Sequence, residues 1–99
     1  MNTLKNKKSI NSLFESGKGL SSDLVFAKVL NSKSSEFLFA VSSKKFKRAV
    51  DRNRIKRLMK ESVRKLKIDN KNIAFIYIGD AIPSYNDINI SISKIISKL

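Results

Sequence analysis

All five arginines of the chain lie within residues 48–64, which read RAVDRNRIKRLMKESVR. Outside this stretch the positive charge is supplied by lysine alone. A guanidinium group is planar and can donate two parallel hydrogen bonds to a phosphate, whereas a lysine ammonium acts as a point charge. The confinement of arginine to one segment therefore predicts a surface that binds phosphate groups with defined geometry.

The overall charge supports the same interpretation. Among the 99 residues, 21 are Lys or Arg and 8 are Asp or Glu, which gives a net charge of +13 and a pI of about 10.3. Such an excess repels itself in the folded state and is more than solubility requires. It predicts a polyanionic partner, with nucleic acid favoured over an anionic membrane surface. The basic groups also crowd the start of a predicted helix, where the positive end of the helix dipole would assist phosphate binding.

Catalysis by the polypeptide itself is not expected. The chain has no cysteine and no histidine, and its eight acids are spread singly along the sequence. A disulfide or a thiolate metal site is therefore excluded, and neither a general base nor a carboxylate metal cluster is indicated. The N-terminal segment MNTLKNKKSINSLF resembles neither a signal peptide nor a transit peptide, and no apolar run is long enough to span a membrane. A cytoplasmic protein with a single domain over residues 1–99 is expected.

Six elements are predicted, and together they indicate an α+β sandwich with helices against a small sheet. A short helix over 8–16 ends at Gly17 and Gly19. Runs 24–30 and 37–43 read as an antiparallel hairpin, and 74–78 reads as a strand buried on both faces. The basic helix is predicted over 50–67, and a last helix begins near Ser84.

The periodicity of the basic helix separates two faces. An apolar stripe predicted to pack on the sheet contains Ile55, Leu58, Met59, Ser62, Val63 and Leu66. The polar side is predicted to carry Arg52, Lys56, Lys60, Arg64 and Lys67. In the first strand of the hairpin, Phe26 and Lys28 share one face. There Phe26, together with Phe14 of the first helix, either stacks on unpaired RNA bases or belongs to the core.

Residues 43–64, SKKFKRAVDRNRIKRLMKESVR, closely resemble the signature of the bacterial ribonuclease P protein subunit, S-K-K-x-x-x-A-V-x-R-N-R-x-K-R-x-x-R-E-x-x-R, with Lys60 in place of the second-last motif arginine. The resemblance extends to 10–18, 72–80 and 84–99, and so covers nearly the whole chain. It implies a ribosomal protein S5 domain 2-like sandwich, in which a small, mostly antiparallel sheet carries the basic helix in a left-handed β-α-β crossover.

The function implied by the resemblance is that of a subunit of a ribonucleoprotein enzyme. Members of the family bind a catalytic RNA and assist it in removing the 5′ leader from precursor tRNA. The chemistry is performed by the RNA with Mg²⁺ bound mainly by that RNA, and no metal is expected on the protein alone. A monomer with no obligate protein partner and no membrane contact is implied.

The resemblance also assigns residues by position. Those expected to contact the catalytic RNA are Lys44, Lys45, Arg48, Arg52, Asn53, Arg54, Lys56, Arg57, Lys60 and Arg64. Those expected in a cleft for the single-stranded leader are Ile10, Phe14, Phe26 and Lys28. Ile10 and Lys28 replace aromatic residues of the family, and Lys47 stands where many members have glycine.

Two other interpretations remain open from the sequence. A ribosomal protein or RNA chaperone of the same fold would explain the charge, although not the RNR motif at 52–54. A peripheral membrane protein could use a basic amphipathic helix, provided that the apolar face of that helix is free.

Overall fold

The computed structural model describes residues 3–99. A four-stranded sheet has helices on both of its faces. The elements in chain order are α1 (Lys7–Ser16), β1 (Lys18–Ser21), β2 (Val25–Asn31), β3 (Glu36–Val41), α2 (Ala49–Arg64), β4 (Lys71–Tyr77) and α3 (Tyr85–Ile96). The strand order in the sheet is β1-β2-β4-β3. The expected α+β class is confirmed, with a mixed sheet and three helices.

The central position of β4 determines the topology. It pairs antiparallel with β2, so that Phe75 lies opposite Ala27, and parallel with β3, so that Phe75 also lies beside Phe39. Helix α2 connects β3 to β4, which is the β-α-β crossover that the resemblance implies. The predicted burial of this strand on both faces is confirmed, since Ile73 and Phe75 face α2 and α3 while Ala74 faces α1.

The predicted hairpin between 24–30 and 37–43 is wrong. Strands β2 and β3 do form there, but they are not neighbours, because β4 lies between them and pairs with both. A strand that is apolar on both faces is most stable at the centre of a sheet, where both faces are covered. The short link at 32–35 therefore crosses the sheet beside the first residues of β4 instead of forming a hairpin turn.

Strand β1 was not predicted. Gly17 ends α1 as expected, and its amide donates to the Leu13 carbonyl at 2.9 Å. The next four residues, KGLS, then pair antiparallel with β2 at the edge of the sheet. They contain a single apolar side chain, Leu20, so no alternating pattern of useful length marks them as a strand.

The larger part of the core lies between the sheet and the pair α2 and α3. The predicted apolar stripe of α2 is confirmed, with Ile55 and Met59 fully buried. Phe75 stacks on Phe39 with ring centroids 5.5 Å apart. The buried Ser62 hydroxyl donates to Asn89 Oδ1 at 2.8 Å, which satisfies a polar group at the α2–α3 contact.

The first and last helices, α1 and α3, pack on opposite faces of the sheet. Ser84 caps α3 as expected, because its hydroxyl accepts from the Asp87 amide at 3.2 Å. On the opposite face of the sheet, α1 packs through Leu13 onto Leu4 and Ala74, which form a second, smaller apolar cluster. Only part of that face is covered by α1, so the side chains beside it remain accessible.

Candidate nucleic-acid interface

The residues between β3 and α2, Ser42 to Arg48, form an ordered segment that we call the basic turn. The Ser42 hydroxyl accepts hydrogen bonds from the amides of Lys44 and Lys45 at 3.2 and 3.4 Å. The Phe46 amide donates to the Ser42 carbonyl at 3.0 Å, and its ring packs against Tyr77 with centroids 5.8 Å apart. The turn is thus fixed by its own backbone and by one buried aromatic ring, while Lys44 and Lys45 are exposed.

Lys45 joins the basic turn to the loop that follows β4. Its Nζ donates to the Ile78 carbonyl at 3.0 Å and lies 3.0 Å from Asp80 Oδ1. The ion pair is exposed, so its contribution to stability is small. Its effect is positional, because it holds one ammonium of the turn at a defined place beside the sheet.

Tyr77 packs against Phe46 and so supports the basic turn. Burial raises the pKa of its phenol, and the carboxylates of Asp80 and Asp87 raise that pKa further. The phenol therefore stays protonated and donates to the Ala81 carbonyl. The next glycine along the chain, Gly79, lies so close to the Tyr77 ring that a Cβ atom there would overlap the phenol oxygen.

Arg52 has a different environment from that predicted. The sequence places it on the polar side of α2, but it is partly buried at the flank of the packed face. Its Nη1 donates to the carbonyls of Phe46 and Lys47 at 2.8 and 3.0 Å. The first arginine of the RNR motif therefore closes the basic turn onto α2, and only its remaining N–H groups are available to a ligand.

The outward face of α2 carries a group of closely spaced cations. Among residues 3–99, the salt bridges of segment 44–67 are Lys45–Asp80 and Arg64–Glu61, the latter at 2.9 Å. Lys56 is partly buried. The exposed members of this face, apart from Val50 at 59% exposure, are Asn53, Arg54, Arg57, Lys60 and Arg64. Arg54, Arg57 and Lys60 have no acidic partner among residues 3–99, and such a group of cations is suited to a row of phosphates.

The start of α2 adds to this positive surface. Arg48 is the N-cap residue, and its side chain makes no capping hydrogen bond. Its carbonyl accepts from the amides of Asp51 and Arg52, both at 3.2 Å. The helix therefore begins directly after the basic turn, so the positive end of its dipole lies beside that turn.

The four residues expected at the leader cleft lie on the other face of the sheet. Phe26 and Lys28 project from β2 to the face that carries α1, and Lys28 Nζ donates to the Gly17 carbonyl at 3.4 Å. Ile10 packs on the Leu13 cluster. Phe14 is 39% exposed, so it is not a core residue.

This arrangement gives two separate surfaces. One face of the sheet carries α1 and the aromatic pair Phe14 and Phe26, and the other carries α2 with its arginines. A polynucleotide bound to α2 and a second strand bound beside α1 would therefore not compete for the same side chains.

Sequence reasoning missed three residues that shape the interface. Phe46 anchors the basic turn, and its one sequence signal is that it is the single apolar residue in KKFKR. Gly79 leaves space for Tyr77, and Asp80 pairs with Lys45. The last two are more than 30 positions from the turn, so nothing in their local sequence indicates the contact.

The structure of residues 3–99 bears on two alternatives, a metal site and a protein bound to a membrane. Within 3–99, no group of three or more His, Cys, Asp or Glu side chains is arranged to hold a metal ion. No helix in that part of the chain is long and apolar enough to cross a membrane. The apolar face of α2 is packed against the sheet and α3, and so it is not free to enter a lipid surface.

Comparison with known proteins agrees with the resemblance in the sequence. Two solved structures share the fold: the RNase P protein of Staphylococcus aureus, with 22% identity, a TM-score of 0.85 and coverage of 99% of this chain and 94% of that one, and the RNase P protein of Thermotoga maritima, with 16% identity, a TM-score of 0.86 and coverage of 100% and 98%. No curated protein sequence gave a match. The sequence profile of the ribonuclease P family matches residues 1–98. The chain belongs to the ribonuclease P family.

Proposed function

We propose that this protein is the protein subunit of ribonuclease P, which binds the catalytic RNA and the 5′ leader of precursor tRNA and assists removal of that leader. The observation that carries the proposal is the outward face of α2, where, among residues 3–99, Arg54 and Arg57 have no acidic partner. Family membership supplies the RNA partner, and the charge of +13 supplies the attraction to it.

The surface proposed for the catalytic RNA combines α2 with the basic turn. Arg54 and Arg57 are exposed and have no side-chain partner among residues 3–99, so both guanidinium groups can bind phosphates in a bidentate manner. Arg52 contributes mainly by holding the turn that presents Lys44 and Arg48. The remaining proposed contacts are Lys45, Asn53, Lys56, Lys60 and Arg64.

The surface proposed for the leader is the cleft beside α1. Phe14 is exposed enough to stack on an unpaired base, and Phe26 lies on the neighbouring strand face. Lys28, with its ammonium directed to the end of α1, offers charge to the leader backbone. With Ile10 and Lys28 where the family has aromatic residues, we infer a cleft that depends on charge more than on stacking.

The polypeptide is proposed to bind and position, and the RNA to perform the cleavage with Mg²⁺ that it holds itself. The acids of this chain are spaced singly, and two of those around the basic turn and α2 are ion-paired: Asp80 with Lys45 and Glu61 with Arg64. We propose a cytoplasmic monomer that needs no other protein partner.

The affinity for ribonuclease P RNA should fall by about 10³- to 10⁵-fold between 50 and 200 mM monovalent salt if 6–10 phosphates are contacted. The double variant Arg54→Ala, Arg57→Ala should reduce the slope of log K against log salt by about two. Filter binding over a salt series measures both quantities. The matched control is Lys5→Ala with Lys33→Ala, which removes the same charge from exposed sites outside the interface. Equal loss of slope in both variants would mean that charge alone, and not the α2 face, determines binding.

Phe14→Ala should reduce the preference of the protein–RNA complex for precursor over mature tRNA. Base stacking on an aromatic ring contributes about 1–3 kcal/mol, which is about 5- to 150-fold in the ratio of the two Kd values. Since Phe14 is 39% exposed, its loss should cost little stability. The control Ile90→Ala removes a side chain of similar exposure, 46%, from α3 on the other face. A wild-type complex that binds both tRNAs equally would exclude the leader cleft.

A further inference from the structure

A second positive site lies away from the surface proposed for the catalytic RNA. A cavity of about 440 Å³ opens at the edge of the sheet where β1 begins. Its walls come from the end of α1, the start of β1, the end of β2, the start of β4 and the residues after α3. The basic turn follows β3 at the opposite end of the sheet, so the cavity is not an extension of the α2 surface.

The register of the sheet creates this cavity. Strand β1 begins at Lys18, opposite Val29 of β2, and therefore the last two residues of β2, Leu30 and Asn31, extend beyond it. Lys71, the first residue of β4, pairs with Asn31 on the other side. The space left beyond the start of β1 is lined on one side by these residues and on another by those that follow α3.

All the ionisable side chains in the cavity wall are lysines. Lys18, Lys71 and Lys98 line it, and the wall includes no Asp or Glu. Lys71 Nζ donates to Asn31 Oδ1 at 2.8 Å, and Lys98 Nζ donates to the Ser21 carbonyl at 3.2 Å. Both ammonium groups are thereby held in place with further N–H donors to spare. Three like charges at one opening repel one another, and a bound anion would relieve that repulsion.

The rest of the wall suits a flat apolar group. Leu20 and Val29 line the cavity on the face of the sheet that carries α3, whereas Leu30, which also borders it, packs on the α1 face. Its volume lies in the range of small-molecule sites, which is about 300–1,000 Å³. A ligand that fits this cavity has a negatively charged group that contacts the lysines and a ring that packs on the apolar side chains. A nucleoside phosphate has that composition.

We propose that this cavity binds a nucleoside phosphate, supplied by one unstacked nucleotide of an RNA, with the phosphate among Lys18, Lys71 and Lys98 and the base against Leu20 and Val29. The proposal rests on the proposed function only in naming RNA as the source of the nucleotide. Binding of the nucleotide itself can be measured without the catalytic RNA, so the two can fail separately.

The test is an NMR titration of the whole protein with uridine 5′-monophosphate, uridine and inorganic phosphate. We expect saturable shifts of the amides around Lys18, Asn31 and Lys71 with the monophosphate, and about tenfold weaker binding of each part alone. The variant Lys18→Gln, Lys71→Gln, Lys98→Gln should raise the Kd by about tenfold or more. The matched control, Lys5→Gln, Lys7→Gln, Lys33→Gln, carries the same net charge and should bind as the wild type.

Three results would overturn the proposal. Shifts confined to α2 and the basic turn would place the nucleotide elsewhere. An equal loss in both triple variants would reduce the effect to net charge. A single-stranded pentauridylate that binds the cavity more weakly than the monophosphate would exclude RNA as the source, whereas tighter binding of the pentauridylate supports it.

Discussion

Arg52→Ala is expected to lower the free energy of unfolding of the free protein by about 1.5–3 kcal/mol, because two backbone carbonyls lose their charged donor. The same variant should reduce the salt slope of RNA binding by more than the one unit that a single lost phosphate contact explains. Arg52 Nη1 holds the carbonyls of Phe46 and Lys47, so its removal loosens the turn that presents Lys44 and Arg48.

Two further variants separate geometry from charge. Arg54→Ala removes an exposed guanidinium two residues away, and should cost one unit of slope while changing stability by less than about 0.5 kcal/mol. Arg52→Lys keeps the charge but not the planar fork, so it should lose stability nearly as Arg52→Ala does. Thermal unfolding and the salt series measure these effects. If Arg52→Ala and Arg54→Ala behave alike in both, the positioning role of Arg52 is wrong.

Gly79→Ala is expected to destabilise the protein by about 1–3 kcal/mol, the usual cost of forcing extra volume into a packed site. The new methyl group would overlap the Tyr77 phenol, which is buried and donates a hydrogen bond to the Ala81 carbonyl. Displacing this ring also disturbs Phe46, which packs on it from the basic turn. RNA affinity should therefore decrease although Gly79 itself carries no charge.

Gly19→Ala is the matched control. A Cβ at Gly19 would approach the ring of the half-buried Phe26 at 3.3 Å, and that ring can move by the small amount required. Denaturant unfolding should show a change below about 1 kcal/mol, since alanine also restricts the unfolded strand. In a Tyr77→Phe background the cost of Gly79→Ala should be smaller, because the nearest atom is gone. Additive costs would show that the overlap with the phenol is not the cause.

The helices and the central strand could be predicted because their patterns are local. The stripe through Ile55 and Met59 specifies which face of α2 is buried, and Ser84 marks the start of α3. The family signature could be read for the same reason, since it occupies one continuous segment.

The pairing of the strands could not be predicted in this way. Whether β2 pairs with β3 or with β4 depends on which strand is stabilised most by burial at the centre of the sheet. Strand β4, which occupies that position, is distant in sequence from both. The local link at 31–36 favours a hairpin, and the burial of Ile73 and Phe75 outweighs it. The edge strand β1 is too short to show a period.

The arginines of the motif look equivalent in the sequence and differ in the structure. Helical periodicity predicts where Arg52 lies around the axis of α2. The hydrogen-bond acceptors of Arg52, however, belong to the basic turn, whose conformation is fixed by Phe46 and Ser42. Only the folded chain shows that one arginine is bound to the protein while Arg54 and Arg57 face outward. The sequence predicts the RNA surface as a set of residues, and the structure shows that these arginines differ in their contacts with the protein.

The most direct test of the proposed function is leader removal in a reconstituted reaction. Precursor tRNA is mixed with a bacterial ribonuclease P RNA at low Mg²⁺, with the wild-type protein, with the Arg54→Ala, Arg57→Ala variant, or without protein. We predict that the wild type increases the rate of leader removal over RNA alone, and that the double variant requires a higher protein concentration for the same rate. A wild-type reaction no faster than RNA alone would contradict the assignment.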